Sequence, residues 1–318
     1  MTRACSIASI TVVYNGAAIL PSQLNALRRQ TRKLDEIIVV NNASTDGSLS
    51  LLKTDFPEVT VLNQQNNVGV GGGLSAGLDY AVNQRNHAWI WLFDQDSLPA
   101  DNCLEHLFEG LRFVEGDSED VAILAPVCVN QTVQLGYSAS VWRHGLRKPP
   151  VGSKHHQISF VDSVISSGTL VRREAVKDVG LPRSDFFMDF VDHEYCLRLR
   201  RHGYRIAVVA ASEMEHAIGE PRRVSIFGFE KAWASHLPWR EYYMTRNEVF
   251  TIWKYYPHWR AKSVVAQRLL RHALAVLLLG KEKLACLTMM YRGFADGRAG
   301  RLGIRSFDCE QPSSNQAA

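Results

Sequence analysis

Short apolar runs alternate with amphipathic stretches through the N-terminal part of the chain. Residues 9–14, 36–40 and 59–62 predict strands, and Leu20, Leu24 and Leu27 recur at helical spacing between the first two. A glycine-rich stretch at 66–73 opens a predicted helix that runs to about residue 83. Next comes A-W-I-W-L-F-D-Q-D-S at 88–97. Its apolar run does not alternate, so it predicts a strand covered on both faces. Helices follow at 103–115, 173–179 and 190–202, with strand character at 121–125, 161–171 and 204–210. Residues 128–158 lack a period, and Pro149-Pro150 and His155-His156 predict loop there. From about residue 239 to 297 the pattern is helical, and 306–318 reads as a loose polar tail. Strands alternating with helices predict an α/β fold around a parallel, doubly wound sheet.

Composition changes this picture little. The 318 residues leave room for one large domain or two modest ones, and 46% hydrophobic with 21% charged is ordinary for a globular chain. The net charge of +4 is uneven, with Arg198, Arg200, Arg201, Arg222 and Arg223 clustered late in the chain. That surplus suits phosphates or an anionic membrane surface, and the basic-aromatic motifs of nucleic-acid readers are missing. Six cysteines without C-x-x-C spacing predict free thiols in a reducing compartment. The apolar runs at 7–13 and 273–279 are far shorter than the roughly 20 residues of a bilayer span. A cytoplasmic protein is expected, resting at most on a membrane surface.

Candidate chemistry centres on Asp94 and Asp96. Two carboxylates this close repel unless a cation or shared proton relieves them, and Mg²⁺-like ions take one or two carboxylates plus phosphate oxygens. In open α/β sheets ligands lie beyond the carboxyl ends of strands, where this pair falls. The competing reading is a helix N-cap at Asp96-Ser97, followed by Pro99. Asn41 ends a predicted strand on the same edge and offers an acceptor for the N3–H of thymine or uracil, or else belongs to a turn. Gly71-Gly72-Gly73-Leu74-Ser75-Ala76 fits G-x-G-x-x-A, with Asp94 about twenty residues on, as in a dinucleotide fingerprint. Those glycines follow the third strand instead of the first, which favours close approach to a sugar nucleotide or a tight turn. On the helix at 190–202, Val191, Tyr195 and Leu199 form the apolar stripe. Glu194 pairs with Arg198 at i, i+4, so Asp192 is the more available acid. His216 is a third metal ligand or a surface histidine. Arg222 and Arg223 suit a diphosphate or plain solvent. Tyr242-Tyr243 and Arg246-Asn247 suit an acceptor wall or helix packing.

These residues fall into an ordered set: T-V-V-Y-N at 11–15, N-N-A-S-T-D at 41–46, N-x-G-x-G-G-G at 67–73 and D-Q-D-S at 94–97. S-S-G at 166–168, D-H-E-Y-C-L-R at 192–198, E-H-x-I-G at 215–219 and Y-Y-x-x-R-N at 242–247 complete it. Over about residues 8–300 the set resembles the inverting family 2 glycosyltransferases, and within them the bacterial dTDP-L-rhamnose rhamnosyltransferases. The resemblance implies a GT-A-type α/β fold with a mostly parallel central sheet, followed by a C-terminal helical region. It implies a catalytic domain over 1–235 (donor half about 1–126, acceptor half about 127–235), helices over 236–300 and a flexible tail over 301–318. The implied activity is inverting transfer of L-rhamnose from dTDP-β-L-rhamnose to a cell-surface glycan or glycolipid, with Mn²⁺ or Mg²⁺ as cofactor. Asp94, Asp96 and His216 would hold the metal, and Asp192 would be the general base. Val13, Asn15, Asn41, Asn67, Gly69, Gly71, Asp94, Gln95, Arg222 and Arg246 would contact the nucleotide sugar. Many relatives carry Asp where this chain has Asn41. Alternatives are another donor (UDP-galactofuranose or a UDP-hexose), or a non-catalytic or NAD-binding protein. Arg260, Lys262, Arg268, Arg271 and His272 beside Leu269, Leu270 and Leu274 predict a peripheral contact with an anionic membrane, domain packing or a homodimer face.

Overall fold

The apolar run Ile7–Val13 is buried along its whole length and forms β1, the spine of the first sheet. A computed structural model describes residues 6–114, 120–129, 139–143, 146–148, 158–216, 222–226, 229–233, 236–256 and 258–307. The chain divides into two units. Unit one takes residues 1–142, 147–187 and 191–216, and unit two takes 143–146, 188–190 and 217–318.

In unit one, α1 (Leu20–Arg29) follows β1 and buries Leu20, Leu24 and Leu27 as their spacing predicts. Then come β2 (Glu36–Asn41), α2 (Ser48–Asp55), β3 (Thr60–Asn63), α3 (Gly69–Asp79) and β4 (Trp89–Asp94). β4 is buried as far as Phe93, in keeping with its unbroken apolar run. Next are β5 (Ser97–Pro99), α4 (Cys103–Arg112), β6 (Val121–Val129), β7 (Ala139–Arg143) and β8 (Leu146–Lys148). β9 (Ile158–Val161), β10 (Ser163–Val164), β11 (Leu170–Arg172), α5 (Arg173–Val179), α6 (Val191–Arg201) and β12 (Arg205–His216) close the unit.

The main sheet has nine strands, in the order β3-β2-β1-β4-β11-β6-β12-β5, with β9 also on β12. Pairing is parallel from β3 to β4 and again between β6 and β12. It is antiparallel wherever β11, β5 and β9 join. The sheet is therefore parallel in its first half and mixed beyond β4, within the α/β fold expected from the sequence. Trp89, Trp91, Phe93, Leu104, Leu107, Leu124 and Leu170 share one core with the apolar face of α1. The Trp91 indole donates to the Gly168 carbonyl at 2.8 Å, so this large ring is buried without an orphaned N–H.

Within the span expected as loop, β7 and β8 are strands, while 149–157, with both Pro-Pro and His-His pairs, lies outside the described residues. The N-cap reading of Asp96-Ser97 is also corrected. Ser97 enters β5, and the next helix starts at Cys103 with Asn102 at its N-cap.

Unit two holds a hairpin, β13 (Arg222–Ile226) with β14 (Phe229–Trp233), and the helices α7 (Pro238–Tyr255), α8 (Trp259–Leu279) and α9 (Lys283–Ala299). Its interior is unusually polar. Glu241 pairs with His272 at 2.8 Å, Glu248 pairs with Arg268, and Tyr242 donates to Asp296 at 2.6 Å. The Phe307 ring lies against Tyr242, with centroids 4.9 Å apart. Among the described residues no helix is long and apolar enough to cross a membrane.

Candidate active site

β4 runs parallel to β1 with Asp94 opposite Val12, which puts the carboxylate at the carboxyl edge of the sheet. β5 folds back antiparallel to β12 and sets Ser97 opposite His216. A residue more than a hundred positions away thereby joins Asp94 and Asp96, and the three offer ligand atoms within 4.8 Å of one another. His216 Nδ1 lies 3.4 Å from Asp96 Oδ1, and its Nε2 lies 4.0 Å from Asp94 Oδ2. All three side chains are partly exposed, so a ligand can reach them.

The electrostatics carry the signature of a gathered anionic site. Burial pushes the Asp94 carboxyl up to about 6, the His216 imidazole pulls it down, and Asp96 and Asp192 push it further up. Burial pulls His216 down, yet the Asp96 hydrogen bond and the two carboxylates outweigh it and raise the imidazole above its ordinary value. Two carboxylates and one imidazole, clustered and open on one side, fit a hard divalent cation that keeps positions free for phosphate oxygens.

The turn is held from beneath by residues whose part the sequence does not announce. Gln23 of α1 is fully buried, and its Nε2 donates to the Asp94 carbonyl and, at 3.2 Å, to the Ser97 carbonyl. Ser167 Oγ accepts the Asp94 N–H at 3.0 Å and meets Ser97 Oγ at 2.5 Å. Ser97 Oγ in turn bonds His216 Nδ1 at 2.8 Å and so orients the ring. Nothing in the spacing of α1 could have singled out Gln23.

Asp192 lies on the first turn of α6, close enough for its charge to raise Asp94. One of its oxygens accepts the His193 N–H at 2.7 Å. Glu194 turns the other way, has no exposed surface, and receives Arg198 at 3.2 Å. Arg198 also donates to the carbonyls of Val179 and Leu181, at 3.0 and 2.8 Å. Val191, Tyr195 and Leu199 are buried as a stripe.

The residues expected around the nucleotide are placed less simply. Val13 is fully buried, and its carbonyl accepts the Asn42 N–H at 2.8 Å. Asn15 Oδ1 accepts the Thr45 N–H at 2.7 Å, tying the first loop to the second. Asn41 is buried, donates to Asn63 at 2.6 Å and accepts the Ser44 N–H at 3.3 Å. Its oxygen, expected at a base, thus serves the loop. Asn67 accepts from Asn42 and from the Gly69 N–H, both at 2.9 Å. Gln95 accepts the Tyr14 N–H at 2.9 Å.

Gly69 and Gly71 face protein instead of open space. Gly69 has φ 71°, and a Cβ there would collide with the Phe187 carbonyl. At Gly71 a Cβ would come 2.6 Å from the Arg183 carbonyl, and its N–H donates to Phe187 O at 2.9 Å. These glycines dock α3 against the segment that leads into α6. In unit two, Arg246 is fully buried and its guanidinium is engaged by Asn247 Oδ1 at 2.8 Å and by the Gly303 carbonyl. It braces that unit instead of presenting a charge to a ligand. Arg222 opens β13, and its side chain lies outside the described residues.

A cavity of about 580 Å³ opens along β5, lined by Asn25, Arg29, Leu98, Glu213 and Glu215 among others, and includes none of the three clustered ligands.

The family model "Glycosyl transferase family 2" matches residues 9–180. The chain is 29% identical to the dTDP-rhamnosyl transferase RfbF of Shigella flexneri, over 76% of this chain and 78% of that one. It is 26% identical to the galactofuranosyltransferase GlfT1 of Mycolicibacterium smegmatis, over 72% and 76%. Among solved structures, GalNAc-T7 with UDP, GalNAc and Mn²⁺ superposes with a TM-score of 0.59 at 15% identity, covering 79% of this chain and 48% of that one. S. aureus TarS 1-349 with UDP-GlcNAc superposes with a TM-score of 0.57 at 16% identity, covering 92% and 80%. At such identities the structural likeness speaks for the fold alone, whereas the family match spans more than half of the sequence. The chain belongs to glycosyl transferase family 2 and is a glycosyltransferase with the GT-A fold.

Proposed function

We propose that the protein moves L-rhamnose from dTDP-β-L-rhamnose to a hydroxyl of a cell-surface glycan or glycolipid, inverting the anomeric carbon. The observation that carries this reading is the convergence of Asp94, Asp96 and His216 at one sheet edge, within electrostatic reach of Asp192. The rhamnosyl donor is supported by the similarity to a dTDP-rhamnosyl transferase.

Asp94, Asp96 and His216 would hold Mn²⁺ or Mg²⁺, which when bound balances charge on the donor diphosphate. The loops after β1, β2 and β3, cross-linked by Asn15, Asn42 and Asn67, form the rim on which the nucleotide rests. Gln95 and the backbone of this rim are its contacts. Asp192 takes the proton from the acceptor hydroxyl as its oxygen attacks the anomeric carbon. The new carbon–oxygen bond forms while the bond to the diphosphate oxygen breaks, and the electron pair leaves with the diphosphate. General-base assistance of this kind contributes roughly 10²–10⁴ in rate. The thiols Cys103, Cys196 and Cys286 are free, which suits work in the reducing cytoplasm.

A second reading keeps the enzyme and changes the donor to UDP-galactofuranose, on the strength of the likeness to a galactofuranosyltransferase. Donor turnover across a panel of nucleotide sugars with Mn²⁺, read by product mass, decides between them. The expected result is transfer of a deoxyhexose from dTDP-L-rhamnose. Turnover of UDP sugars alone would replace the rhamnosyl reading. In the same preparation Asp96→Asn is expected to weaken Mn²⁺ binding in calorimetry, and wild-type affinity in that variant would move the metal elsewhere.

A further inference from the structure

The helix α8 has two faces of different chemistry. Its inward side is fixed by Ala261, Val265 and Val276, which are buried, and by Arg268 and His272, which pair with Glu248 and Glu241 of α7. Those two basic residues, read from sequence as surface charge, are therefore tied to buried acids of α7, although Arg268 keeps about half of its side chain exposed. At about 3.6 residues per turn the opposite side collects Trp259, Leu270, Leu274 and Leu277, with Leu278 at its margin. Trp259 and Leu270 are each 72% exposed and Leu278 is 62% exposed. Leu284, at the start of α9, is 81% exposed and continues the apolar surface past the turn. Large apolar side chains gathered on one helix face call for a partner.

The surrounding charge says which one. Residues 258–295 contain seven Lys and Arg but a single acid, Glu282. Arg260, Arg271, Lys281 and Lys283 are all exposed along or just beyond this helix. An apolar stripe with a basic margin, on a helix too polar to span, is the pattern of a helix that lies in a membrane interface. A second copy of the chain fits less well. A two-fold contact would set this basic margin against itself, whereas anionic headgroups complement it.

We propose that the outward face of α8, continued by Leu284, docks unit two on a bilayer surface containing anionic lipid, with Trp259, Leu270, Leu274 and Leu277 entering the headgroup boundary. This goes beyond the transfer reaction and is independent of donor identity.

The test uses the full chain in vesicle flotation, comparing mixed phosphatidylglycerol–phosphatidylcholine vesicles with pure phosphatidylcholine. Wild type is expected to partition at least about tenfold more strongly onto the anionic vesicles, and to lose most of that advantage between about 0.05 and about 0.5 M salt. Leu270→Glu with Leu274→Glu is expected to lower partitioning at least about tenfold while circular dichroism and the melting midpoint stay at wild-type values. Arg260→Gln with Arg271→Gln, which keeps the apolar stripe, is expected to remove the preference for anionic vesicles. Equal binding to both vesicle types, or binding unaffected by either double variant, overturns the proposal. A dimer in sedimentation velocity that Leu270→Glu with Leu274→Glu dissociates, without vesicle binding, assigns the face to self-association and overturns it too.

Discussion

Asp94 ends β4 and Asp96 stands on the turn after it, Asp192 and Glu194 stand on the first turn of α6, and the same one-residue spacing leads to different arrangements. On a helix each residue advances about 100°, so positions two apart point to nearly opposite sides. Glu194 is thereby driven into the core, where Arg198 meets it, while Asp192 stays at the surface of unit one. On the turn no such rotation separates the acids, and β12 delivers His216 beside both. Acid spacing is thus informative only once the backbone that carries it is known.

The largest effect should come from Asp192→Asn, which removes a proton acceptor without changing shape. Transfer is expected to fall by roughly 10²–10⁴ in kcat while donor affinity holds. Wild-type kcat in this variant would dissolve the contrast with Glu194. Next in size is Glu194→Gln. Exchanging a buried, charge-assisted hydrogen bond for a neutral one should cost about 1–3 kcal/mol in denaturant unfolding, with kcat per folded molecule unchanged. A kcat loss comparable to that of Asp192→Asn would mean that both acids of α6 act in the reaction.

The smallest and sharpest test is Asp94→Asn in chelator. A carboxyl lifted by burial to about 6 binds its proton more tightly folded than unfolded. The metal-free fold therefore loses stability as pH rises from about 4 to about 6. The asparagine removes that penalty, so at pH 7 the variant should be more stable by about 1–2 kcal/mol, allowing for the partial exposure of the side chain. Near pH 4 the advantage should vanish. A variant no more stable at pH 7 would place Asp94 in an ordinary aqueous setting.

Strand and helix order in unit one was legible because buried apolar runs and the α1 stripe are local properties. β5 was not, since three residues ending in proline carry no period, and its worth lies in a partner on β12 far along the chain. That pairing is why His216 could be suspected but not placed. The acidic turn itself was legible from charge chemistry alone. The asparagines were ambiguous for a physical reason: an amide that can read a base can equally bind a neighbouring loop, and Asn15, Asn41 and Asn67 do the second. Arg246 misled in the same way, because a guanidinium that suits a phosphate also suits a carbonyl inside a helical bundle. Surface charge on α8 was half legible, with Arg260 and Arg271 exposed but Arg268 and His272 engaged by the buried acids Glu248 and Glu241 of α7.

The junction of α3 with residues 183–187 has a bearing on how this enzyme can be altered. At Gly69 and Gly71 the only spacer between the two backbones is a hydrogen atom, and the chain then passes through residues 188–190 into the helix of the proposed base. Even a methyl group added there would act as a wedge, shifting the proposed proton acceptor without touching it, so these two positions act as a gauge for the catalytic geometry.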